Sequence, residues 1–279
     1  MDIISLKTEM QARSNHLRNQ GKTIGFVPTM GYLHEGHLSL MRLAKSMADT
    51  LVVSIFVNPT QFGPGEDLGT YPRDFERDQS LCQKEGVDIL FYPTASQMYG
   101  PRFQTFIALE QLPLHLCGIS RPAFFRGVAT VVTKLFNIVK PNTAIFGQKD
   151  YQQLRVIRQL VQDLDLDIQI TSGPTVRESD GLAMSSRNAY LSASQRPSAL
   201  TLYQALCQTR KHIENGLTDA KALIQSAVNL ILSFPETVID YITICDPDTL
   251  EDIQTIDRPV VMALAVKVGK TRLIDNMLL

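Results

Sequence analysis

The sequence predicts an α/β protein with a parallel sheet covered by helices on both faces, followed by a smaller α+β domain. In the first 175 residues, apolar and β-branched runs alternate with segments of helical periodicity, the pattern of strands joined by crossover helices. After that point the order changes to helices followed by strands, which favours an α+β arrangement. The 279 residues leave room for two domains, which we place at 1–175 and 176–279.

Six runs in the first domain have the composition of strands. They are residues 23–27, 51–57, 88–92, 105–108, 143–146 and 167–171. The run 51–57 is almost continuously apolar, as expected for a central strand that is buried on both faces. Helical patterns lie between these runs at 38–48, 72–85, 128–139 and 150–164.

In the second domain, two helical patterns come before three strand candidates. Ser192-Ala193-Ser194-Gln195 has the sequence of a capping box, and helical patterns follow at 195–214 and 219–233. The strand candidates are residues 238–244, 260–268 and 271–274. No internal repeat or low-complexity segment is recognisable.

The composition is that of an ordinary globular protein, with 44% hydrophobic and 20% charged residues. A net charge of -1 offers no argument for a nucleic-acid or membrane partner. The four cysteines (Cys82, Cys117, Cys207 and Cys245) are widely spaced, which predicts free thiols in a reducing compartment. We recognise no leader peptide, and no apolar run approaches the ~18 residues of a membrane span, so we expect a soluble, cytoplasmic protein.

The most informative segment is Pro28-Thr29-Met30-Gly31-Tyr32-Leu33-His34-Glu35-Gly36-His37, between a strand candidate and a helical pattern. It contains two of the five histidines of the chain. A turn from a strand into a helix offers free backbone N–H groups and the positive end of the helix dipole, both suited to phosphate. Imidazoles there can add hydrogen bonds to a phosphate whose charge is rising. The segment indicates a nucleotide site; two histidines satisfied within a turn is the alternative interpretation.

Asn58-Pro59-Thr60-Gln61-Phe62 follows the predicted central strand directly. In open parallel sheets, ligands bind outside the carboxyl ends of the strands, where the strand order reverses. Gln61 is therefore placed to meet a ligand, and its amide can both donate and accept. A plain loop is the alternative. The segment that follows, up to Tyr71, is rich in Gly and Pro, as lids often are.

Gly147-Gln148-Lys149-Asp150-Tyr151-Gln152-Gln153 joins another strand candidate to another helical pattern. A lysine at the start of a helix opposes the helix dipole, so an anionic ligand explains Lys149 better than helix stability does. A solvated lysine is the alternative. Gln153 lies one turn into the helix, where it can join Gln61 in holding a small polar substrate.

Two further segments contain an arginine, and each has more than one interpretation. Arg126, in the apolar Phe124-Phe125-Arg126-Gly127, can bind a ligand anion or pair with a neighbouring carboxylate. Met184-Ser185-Ser186-Arg187 lies at the proposed domain junction, and its hydroxyls and guanidinium form a compact donor group for phosphate oxygens. Taken alone, Ser-Ser-Arg is a common tripeptide that more often forms a turn than a binding site.

Several common motifs are absent from the sequence, namely the Walker A loop, G-x-G-x-x-G, G-x-S-x-G and H-E-x-x-H. No group of Asp, Glu, His and Cys residues has the spacing of metal ligands. We therefore expect no metal held by the protein, and Mg²⁺ would arrive on nucleotide phosphates.

The segment 28–37 resembles the form that the nucleotidyltransferase His-x-Gly-His motif takes in the pantothenate synthetase (pantoate–β-alanine ligase) family. Further blocks similar to that family follow in order at residues 57–62, 125–128, 147–153, 184–187 and 272–276. The similarity runs over nearly the whole chain, and the combination of blocks is highly specific. It implies a Rossmann-like nucleotidyltransferase domain with a smaller α+β C-terminal domain that covers the active site.

The same resemblance implies an ATP-dependent condensation of (R)-pantoate with β-alanine through a pantoyl adenylate, in the pathway to coenzyme A. The products would be pantothenate, AMP and pyrophosphate. ATP would enter as a substrate with Mg²⁺ on its phosphates, without a tightly bound cofactor. The resemblance also implies a cytoplasmic homodimer whose partners are small molecules, with neither nucleic acid nor membrane.

Site residues carry over from the resemblance motif by motif. The ATP site would comprise Met30, Gly31, Tyr32, Leu33, His34, Glu35, Gly36, His37, Gly147, Gln148, Lys149, Asp150, Val176, Met184, Ser185, Ser186 and Arg187. The catalytic residues among them would be His34, His37, Lys149 and Arg187. Gln61 and Gln153 would hold pantoate, with Gln61 also near β-alanine and Arg126 as a further candidate.

The chain departs from the family pattern at two of these blocks. Gln148 stands where the family more often has Glu, which can alter how Lys149 is oriented. Thr60, often Met in the family, is a milder change.

Two other functions compete with the ligase. A nucleotidyltransferase that joins a nucleotide to a phosphate would prefer cationic groups to Gln61 and Gln153. A non-catalytic regulator would bind ATP without releasing pyrophosphate.

Overall fold

A computed structural model describes residues 1–279, and the chain divides into two compact units. The first unit consists of Met1–Glu110, Arg121–Gln148 and Gln153–Pro174. The second consists of Gln111–Ser120, Lys149–Gln152 and Thr175–Leu279. Two short segments that precede residue 175 thus group with the C-terminal part.

The first unit contains a six-stranded sheet in which every neighbouring pair of strands is parallel. Its strands are β1 (Asp2–Ile4), β2 (Ile24–Thr29), β3 (Thr50–Ile55), β4 (Ile89–Phe91), β5 (Thr143–Gly147) and β6 (Gln169–Gly173). The strand order across the sheet is β1-β4-β3-β2-β5-β6. The predicted parallel α/β class is confirmed.

Helices connect these strands and cover both faces of the sheet. They are α1 (Lys7–Asn19), α2 (Glu35–Met47), α3 (Phe75–Lys84), α4 (Ala95–Met98), α6 (Phe124–Val139) and α7 (Tyr151–Asp163), with the short α5 (Cys117–Ser120) in the second unit. Val52 and Val53 of β3 are both fully buried but belong to different apolar clusters. Successive side chains of a strand point to opposite faces, so β3 is buried on both sides as predicted.

The first unit differs from the sequence predictions in several places. The strand predicted at 105–108 is wrong, because the N–H of Ile107 donates to the side-chain oxygen of Thr130 on α6 (3.0 Å) and the segment has no regular structure. The helix predicted at 128–139 begins earlier, at Phe124, so Arg126 lies in its first turn. Neither β1 nor α1 was predicted, since β1 is a three-residue strand and α1 is mostly polar.

The second unit packs two helices against an antiparallel sheet. The helices are α8 (Arg196–Glu214) and α9 (Ala220–Leu232), and the strands are β7 (Thr237–Cys245), β8 (Val261–Val268) and β9 (Thr271–Leu278), in the order β7-β8-β9. Fully buried Leu206 of α8, Leu223 of α9 and Leu264 of β8 belong to one apolar core. The predicted helices and strands of this part are confirmed, and β9 extends four residues beyond the run predicted at 271–274.

The predicted capping box forms its two reciprocal bonds. The N–H of Gln195 donates to the Ser192 hydroxyl (3.3 Å), and the N–H of Ser192 donates to the Gln195 side-chain oxygen (3.2 Å). α8 begins at the next residue, Arg196. No helix in the structure has both the length and the apolar character that crossing a membrane requires.

Candidate active site

The strand order of the parallel sheet reverses between β2 and β5. From β2 the chain continues to β3 on one side, whereas β5 pairs with β2 from the other side. These two strands are paired only at Gly25 with Thr143 and at Phe26 with Ala144, before their carboxyl ends. Such a reversal leaves a crevice at the carboxyl ends of the strands, where ligands of open parallel sheets bind. The predicted segments 28–37 and 147–153 start from these two strand ends.

The connection from β2 to α2, which we call the histidine loop (Met30–His37), has a strained backbone. Gly31 and Tyr32 have φ angles of 86° and 51°, in the left-handed region. Glycine adopts this region freely, whereas for tyrosine it costs of order 1 kcal/mol. Both the N–H of Tyr32 and the N–H of Leu33 donate to the carboxylate of Asp78, at 2.7 Å each. These bonds offset the strain of the loop.

The two histidines lie where the loop enters α2. The N–H of His34 donates to Nδ1 of His37 (3.3 Å), and the N–H of His37 donates back to the carbonyl oxygen of His34 (2.8 Å). The two imidazole rings are 4.1 Å apart between centroids. The sequence therefore placed both histidines correctly at a helix N-terminus.

Most amides of the histidine loop already have acceptors. The N–H of Gly31 donates to the Thr29 hydroxyl (3.2 Å), and the next three amides are bonded as described above. The backbone N–H groups of Glu35 and Gly36, in the first turn of α2, have no intrahelical acceptor. The sequence predicted free N–H groups along the turn, and in the structure this prediction applies to the N–H groups of Glu35 and Gly36.

Gln61, in a 3₁₀ turn after β3, is held by Asn58. The oxygen of the Asn58 side chain accepts from the hydroxyls of Tyr99 (2.7 Å) and Thr60 (2.9 Å). The amide nitrogen of Asn58 must then face the other way, where it donates to the side-chain oxygen of Gln61 (3.1 Å). Thr60, a departure from the family pattern, thus contributes a bond to this arrangement.

The Gln61 side chain consequently presents its nitrogen as a donor. Gln61 is 8% exposed, and its Nε2 lies 3.0 Å from the thioether sulfur of Met30. A thioether is a weak acceptor, so a ligand oxygen would be a better partner for this donor. The packing depends on Gly127, because a Cβ there would lie 2.4 Å from the carbonyl oxygen of Thr60.

Arg126 and Arg121 both lie near the 3₁₀ turn that contains Gln61, but they make different contacts. Arg126 is exposed, and its guanidinium stacks on the ring of Phe106 at 3.8 Å from the ring centroid, without an ion pair to a carboxylate. Arg121 donates to the carbonyl oxygen of Gln61 (3.2 Å) and forms a two-point ion pair with Glu66. Burial alone would raise the pKa of Glu66, but the bond to Arg121 holds it below its ordinary value. The Gly- and Pro-rich segment after Gln61 is therefore anchored at Glu66.

Lys149 lies in the 3₁₀ turn Gln148–Asp150, between β5 and α7. Its side chain is half-buried and forms no ion pair, and its carbonyl oxygen accepts from the Asn276 side chain (2.8 Å). The next two glutamines differ: buried Gln152 donates to the carbonyl oxygens of Leu112 and His115. Gln153 is half-buried and makes no side-chain hydrogen bond. Both Lys149 and Gln153 are thus available to a ligand.

The segment Val176–Arg187, which we call the serine–arginine loop, is folded back on itself. The N–H of Met184 donates to the carbonyl oxygen of Val176 (2.9 Å), and Arg177 and Ala183 form an antiparallel bridge. Arg177 forms a bidentate ion pair with Asp275 of β9 (2.6 and 3.0 Å). Asp275 is only 3% exposed, so this pair fixes the start of the loop from within the core of the second unit.

A second set of ion pairs holds the middle of the same loop. Arg196, at the start of α8, binds Glu178 (2.6 Å) and Asp180 (2.7 Å). The hydrogen bonds from Arg196 hold the pKa of Asp180 below its ordinary value. Asn188 also donates to Glu178 (2.7 Å), which ties the end of the loop to its beginning.

The Ser-Ser-Arg residues lie at the entrance to a 3₁₀ turn, Ser186–Tyr190. The N–H of Arg187 donates to the hydroxyl of Ser185 (3.3 Å), and Ser186 is buried. Their position therefore depends on a loop that is held by ion pairs at its start and middle.

The predicted site residues fall into two groups. The first unit contains Met30 to His37, Gln61, Arg126, Gly147, Gln148 and Gln153; the second contains Lys149, Asp150, Val176 and Met184 to Arg187. Sequence patterns did not assign a role to the side chains that hold these groups. Asp78, Tyr99, Arg121 and Arg177 lie outside the family-like blocks, whereas Asn58 lies in the block 57–62, and Asp275 and Asn276 lie in the block 272–276.

Comparisons with known proteins agree over the whole chain. A family model described as pantoate-beta-alanine ligase matches residues 2–278. The pantothenate synthetase of Desulfatibacillum aliphaticivorans is 61% identical over 279 residues, which are 100% of this chain and 99% of the relative. The crystal structure of pantothenate synthetase from Thermus thermophilus superposes with a TM-score of 0.94 at 42% identity, covering 99% of each chain.

A second solved structure is described with ligands. The pantoate-beta-alanine ligase of Francisella tularensis, complexed with beta-gamma ATP and beta-alanine, has a TM-score of 0.81 at 35% identity. The alignment covers 100% of this chain and 97% of that one.

Proposed function

The chain belongs to the pantoate–β-alanine ligase family, and from this membership we propose which residues carry out its reaction. The protein is an enzyme that condenses pantoate with β-alanine at the expense of ATP. The observation that carries this function is the family match over residues 2–278. The relative from Francisella tularensis, described with beta-gamma ATP and beta-alanine, supports the same two substrates here.

The chemistry requires an activated acid, since a carboxylate is a poor electrophile towards an amine. In the first step, an oxygen of the pantoate carboxylate attacks the α-phosphorus of ATP, and pyrophosphate leaves with the electrons of the broken P–O bond. In the second step, the β-alanine amine attacks the acyl carbon of pantoyl adenylate, AMP leaves, and the amine loses a proton. Neither step needs a covalent bond to the protein, so positioned donors suffice.

The histidine loop is the ATP-phosphate site of the first unit in this proposal. The N–H groups of Glu35 and Gly36, the imidazoles of His34 and His37 and the dipole of α2 all favour negative charge. Charge grows on the departing pyrophosphate, so donors already in place there lower the barrier. Met30 to Leu33 line the same loop.

The second unit supplies the other donors to the nucleotide. Lys149, Ser185, Ser186 and Arg187 are suited to phosphate oxygens, and Gly147 to Asp150, Val176 and Met184 complete the ATP-binding set. The absence of an ion pair at half-buried Lys149 supports an anionic ligand there.

Pantoate binds through Gln61, Gln153 and Arg126 in this assignment. The Gln61 nitrogen is a donor whose present acceptor is only the Met30 sulfur, and the Gln153 amide has no partner. Both can bind the hydroxyl or carboxylate oxygens of a small acid, and exposed Arg126 adds a cation.

The proposal also covers the metal ion, the cellular compartment, the oligomeric state and the domain boundaries. Mg²⁺ enters on the ATP phosphates, in keeping with the chemistry of this ion, since the structure has no group of three His, Cys, Asp or Glu side chains arranged to hold a metal. We place the enzyme in the cytoplasm, where its four free cysteines stay reduced, and we expect a homodimer from the family resemblance. Domains at 1–175 and 176–279, the second covering the active site, belong to the same proposal.

Pyrophosphate release is the experiment that tests this function. The enzyme is given ATP, Mg²⁺ and pantoate, and pyrophosphate is followed before and after β-alanine is added, together with AMP and pantothenate. We expect pantoate-dependent pyrophosphate first, and AMP with pantothenate only after the amine. ATP binding without pantoate-dependent pyrophosphate would contradict the proposal and favour a regulator.

A further inference from the structure

Asp78 of α3 is a buried acid that none of the steps above uses. The residue is 1% exposed, and burial raises the pKa of its carboxyl, against the opposing effect of two backbone hydrogen bonds. Burying a carboxylate costs free energy unless its oxygens are well bonded. Both oxygens are bonded here, one to the N–H of Tyr32 and one to the N–H of Leu33, at 2.7 Å each.

The histidine loop packs directly on this carboxylate. A Cβ at Gly31 would lie 3.0 Å from Oδ2 of Asp78 and 3.0 Å from the Ile55 side chain at the end of β3. A side chain at Gly31 would therefore crowd the carboxylate, so the loop backbone lies close to Asp78. Gly31, where a Cβ would meet the carboxylate, and Tyr32, whose N–H donates to it, are the two residues of the loop with a left-handed backbone.

The contact also decides which amides are left for a ligand. Because Tyr32 and Leu33 donate to Asp78, their N–H groups are not available to phosphate. The amides of Glu35 and Gly36 follow after one residue of chain, at the start of α2. The position of Asp78 therefore sets where those amides and the two imidazoles point.

We propose that Asp78 is a positioning residue for the adenylation step, acting through the backbone of the histidine loop. The proposal rests on the proposed function, since it assigns the loop to ATP phosphates. A carboxylate is needed for this role because it has two acceptor oxygens. Asparagine keeps one oxygen but turns an NH₂ group towards the second N–H, so two donors would face each other.

The test compares Asp78→Asn with a matched change, Asp88→Asn. Asp88 makes a similar carboxylate-to-backbone bond, to the N–H of Leu51 (2.8 Å), but at the amino end of β3. We expect Asp78→Asn to slow pantoate-dependent pyrophosphate release by ~10²-fold, the cost of misplacing reacting groups by about 1 Å, and to raise KM for ATP. The rate at which accumulated adenylate reacts with β-alanine should not change. Asp88→Asn should leave both half-reactions at the wild-type rate.

The possible outcomes distinguish a failure of the role proposed for Asp78 from a failure of the proposed function. If the wild-type enzyme releases no pyrophosphate with pantoate, the proposed function fails. If the wild type is active and Asp78→Asn equals it, the role of Asp78 is overturned. A parallel fall in both half-reactions would mean a general structural role and would also overturn it.

Amide NMR on the wild-type enzyme provides a second test if Asp78→Asn does not fold. We expect slow hydrogen exchange at Tyr32 and Leu33, whose resonances stay in place when ATP and Mg²⁺ are added. The resonances of Glu35 and Gly36 should shift. Exchange at Tyr32 and Leu33 as fast as at Glu35 and Gly36, or equal shifts at all four, would overturn the proposal.

Discussion

The histidine loop and the serine–arginine loop are both candidates for binding phosphate, but the protein holds them by different means. The histidine loop depends on one buried carboxylate, that of Asp78, which accepts from two backbone N–H groups. The serine–arginine loop depends on ion pairs, from Arg177 to Asp275 and from Arg196 to Glu178 and Asp180. Backbone bonds to a buried acid set the path of a chain, whereas ion pairs between side chains connect separate segments.

The two arrangements respond differently to the solvent. The side chains of Arg196 and Asp180 are 27% and 35% exposed, so dissolved ions screen their attraction. The two bonds from backbone N–H groups to Asp78 are shielded from such screening by its burial, and only its longer contact with the Arg77 guanidinium (3.7 Å) reaches an exposed side chain. The pKa of Asp78 is raised and that of Asp180 is lowered, which reflects the same contrast.

The largest expected effects come from removing a side chain that we propose as a phosphate donor, one in the histidine loop and one in the second unit. His37→Ala in the histidine loop and Lys149→Ala in the second unit should each lower pantoate-dependent pyrophosphate release by ~10²–10³-fold, as loss of one preorganised donor does. Thermal unfolding should be unchanged for Lys149→Ala and slightly lowered for His37→Ala, which loses the bond from the N–H of His34. His16→Ala and Lys221→Ala, both at exposed positions, serve as controls. Turnover near the wild-type rate in either test variant would refute the role given to that residue.

Removing Asp275 should have the next largest effect, on stability. Asp275→Ala leaves the Arg177 guanidinium, 19% exposed, without its partner, which should lower the free energy of unfolding by about 3 kcal/mol. Urea unfolding measures this change. The double variant Arg177→Met with Asp275→Leu should recover most of the stability, because an apolar pair needs no charge partner. An unchanged urea midpoint for Asp275→Ala would mean that the ion pair does not hold the loop.

The two acids should titrate on opposite sides of the ordinary aspartate pKa, about 3.9. Asp78 binds its proton more tightly in the folded state, so its contribution to the free energy of unfolding falls as pH rises from about 3.9 through its raised pKa. Asp180 behaves oppositely: its contribution is present above the unfolded value and is lost as pH falls through its lowered pKa. Carboxyl ¹³C NMR follows both groups. Asp78 titrating at or below the ordinary value would remove the contrast.

The smallest expected effect comes from the partly exposed pairs of Arg196. Arg196→Ala should destabilise the protein by less than about 1 kcal/mol, as exposed ion pairs contribute little. In about 1 M NaCl the difference from wild type should shrink, because the screening length falls to a few ångströms. The destabilisation by Asp78→Asn should change less in salt, because only the attraction between Asp78 and Arg77 is screened, whereas the backbone bonds to Asp78 are buried. Urea midpoints at low and high salt compare the two variants, and equal salt sensitivity would contradict the distinction between the loops.

Local patterns in the sequence were enough to predict much of the architecture. Alternating apolar runs and helical periods predicted the parallel sheet, and the almost continuously apolar run 51–57 predicted a strand buried on both faces. His34 and His37 were correctly placed at the start of a helix, since a strand, a glycine turn and a helix are consecutive in the chain. The resemblance of the ordered motifs predicted the family, which the comparisons confirmed.

The same patterns failed where a partner lies far away in the chain. The run 105–108 has the composition of a strand, but the Ile107 N–H bonds to the Thr130 side chain instead of to a neighbouring strand. β1 was missed because its three residues carry too little pattern, although they pair with β4. Pairing decides whether such short segments become strands.

The sequence by itself therefore determined the class of fold and the family, and it supplied the candidates for the residues that carry the chemistry. Only the tertiary structure decided what holds them: Asp78 is 45 positions from Leu33, Asp275 is 98 from Arg177, and Tyr99 sets the orientation of the Gln61 amide through Asn58. Periodicity is a property of neighbouring residues and predicts which face of an element is buried. Which polar groups then meet depends on strand order and loop path, which bring distant residues together only in the folded chain.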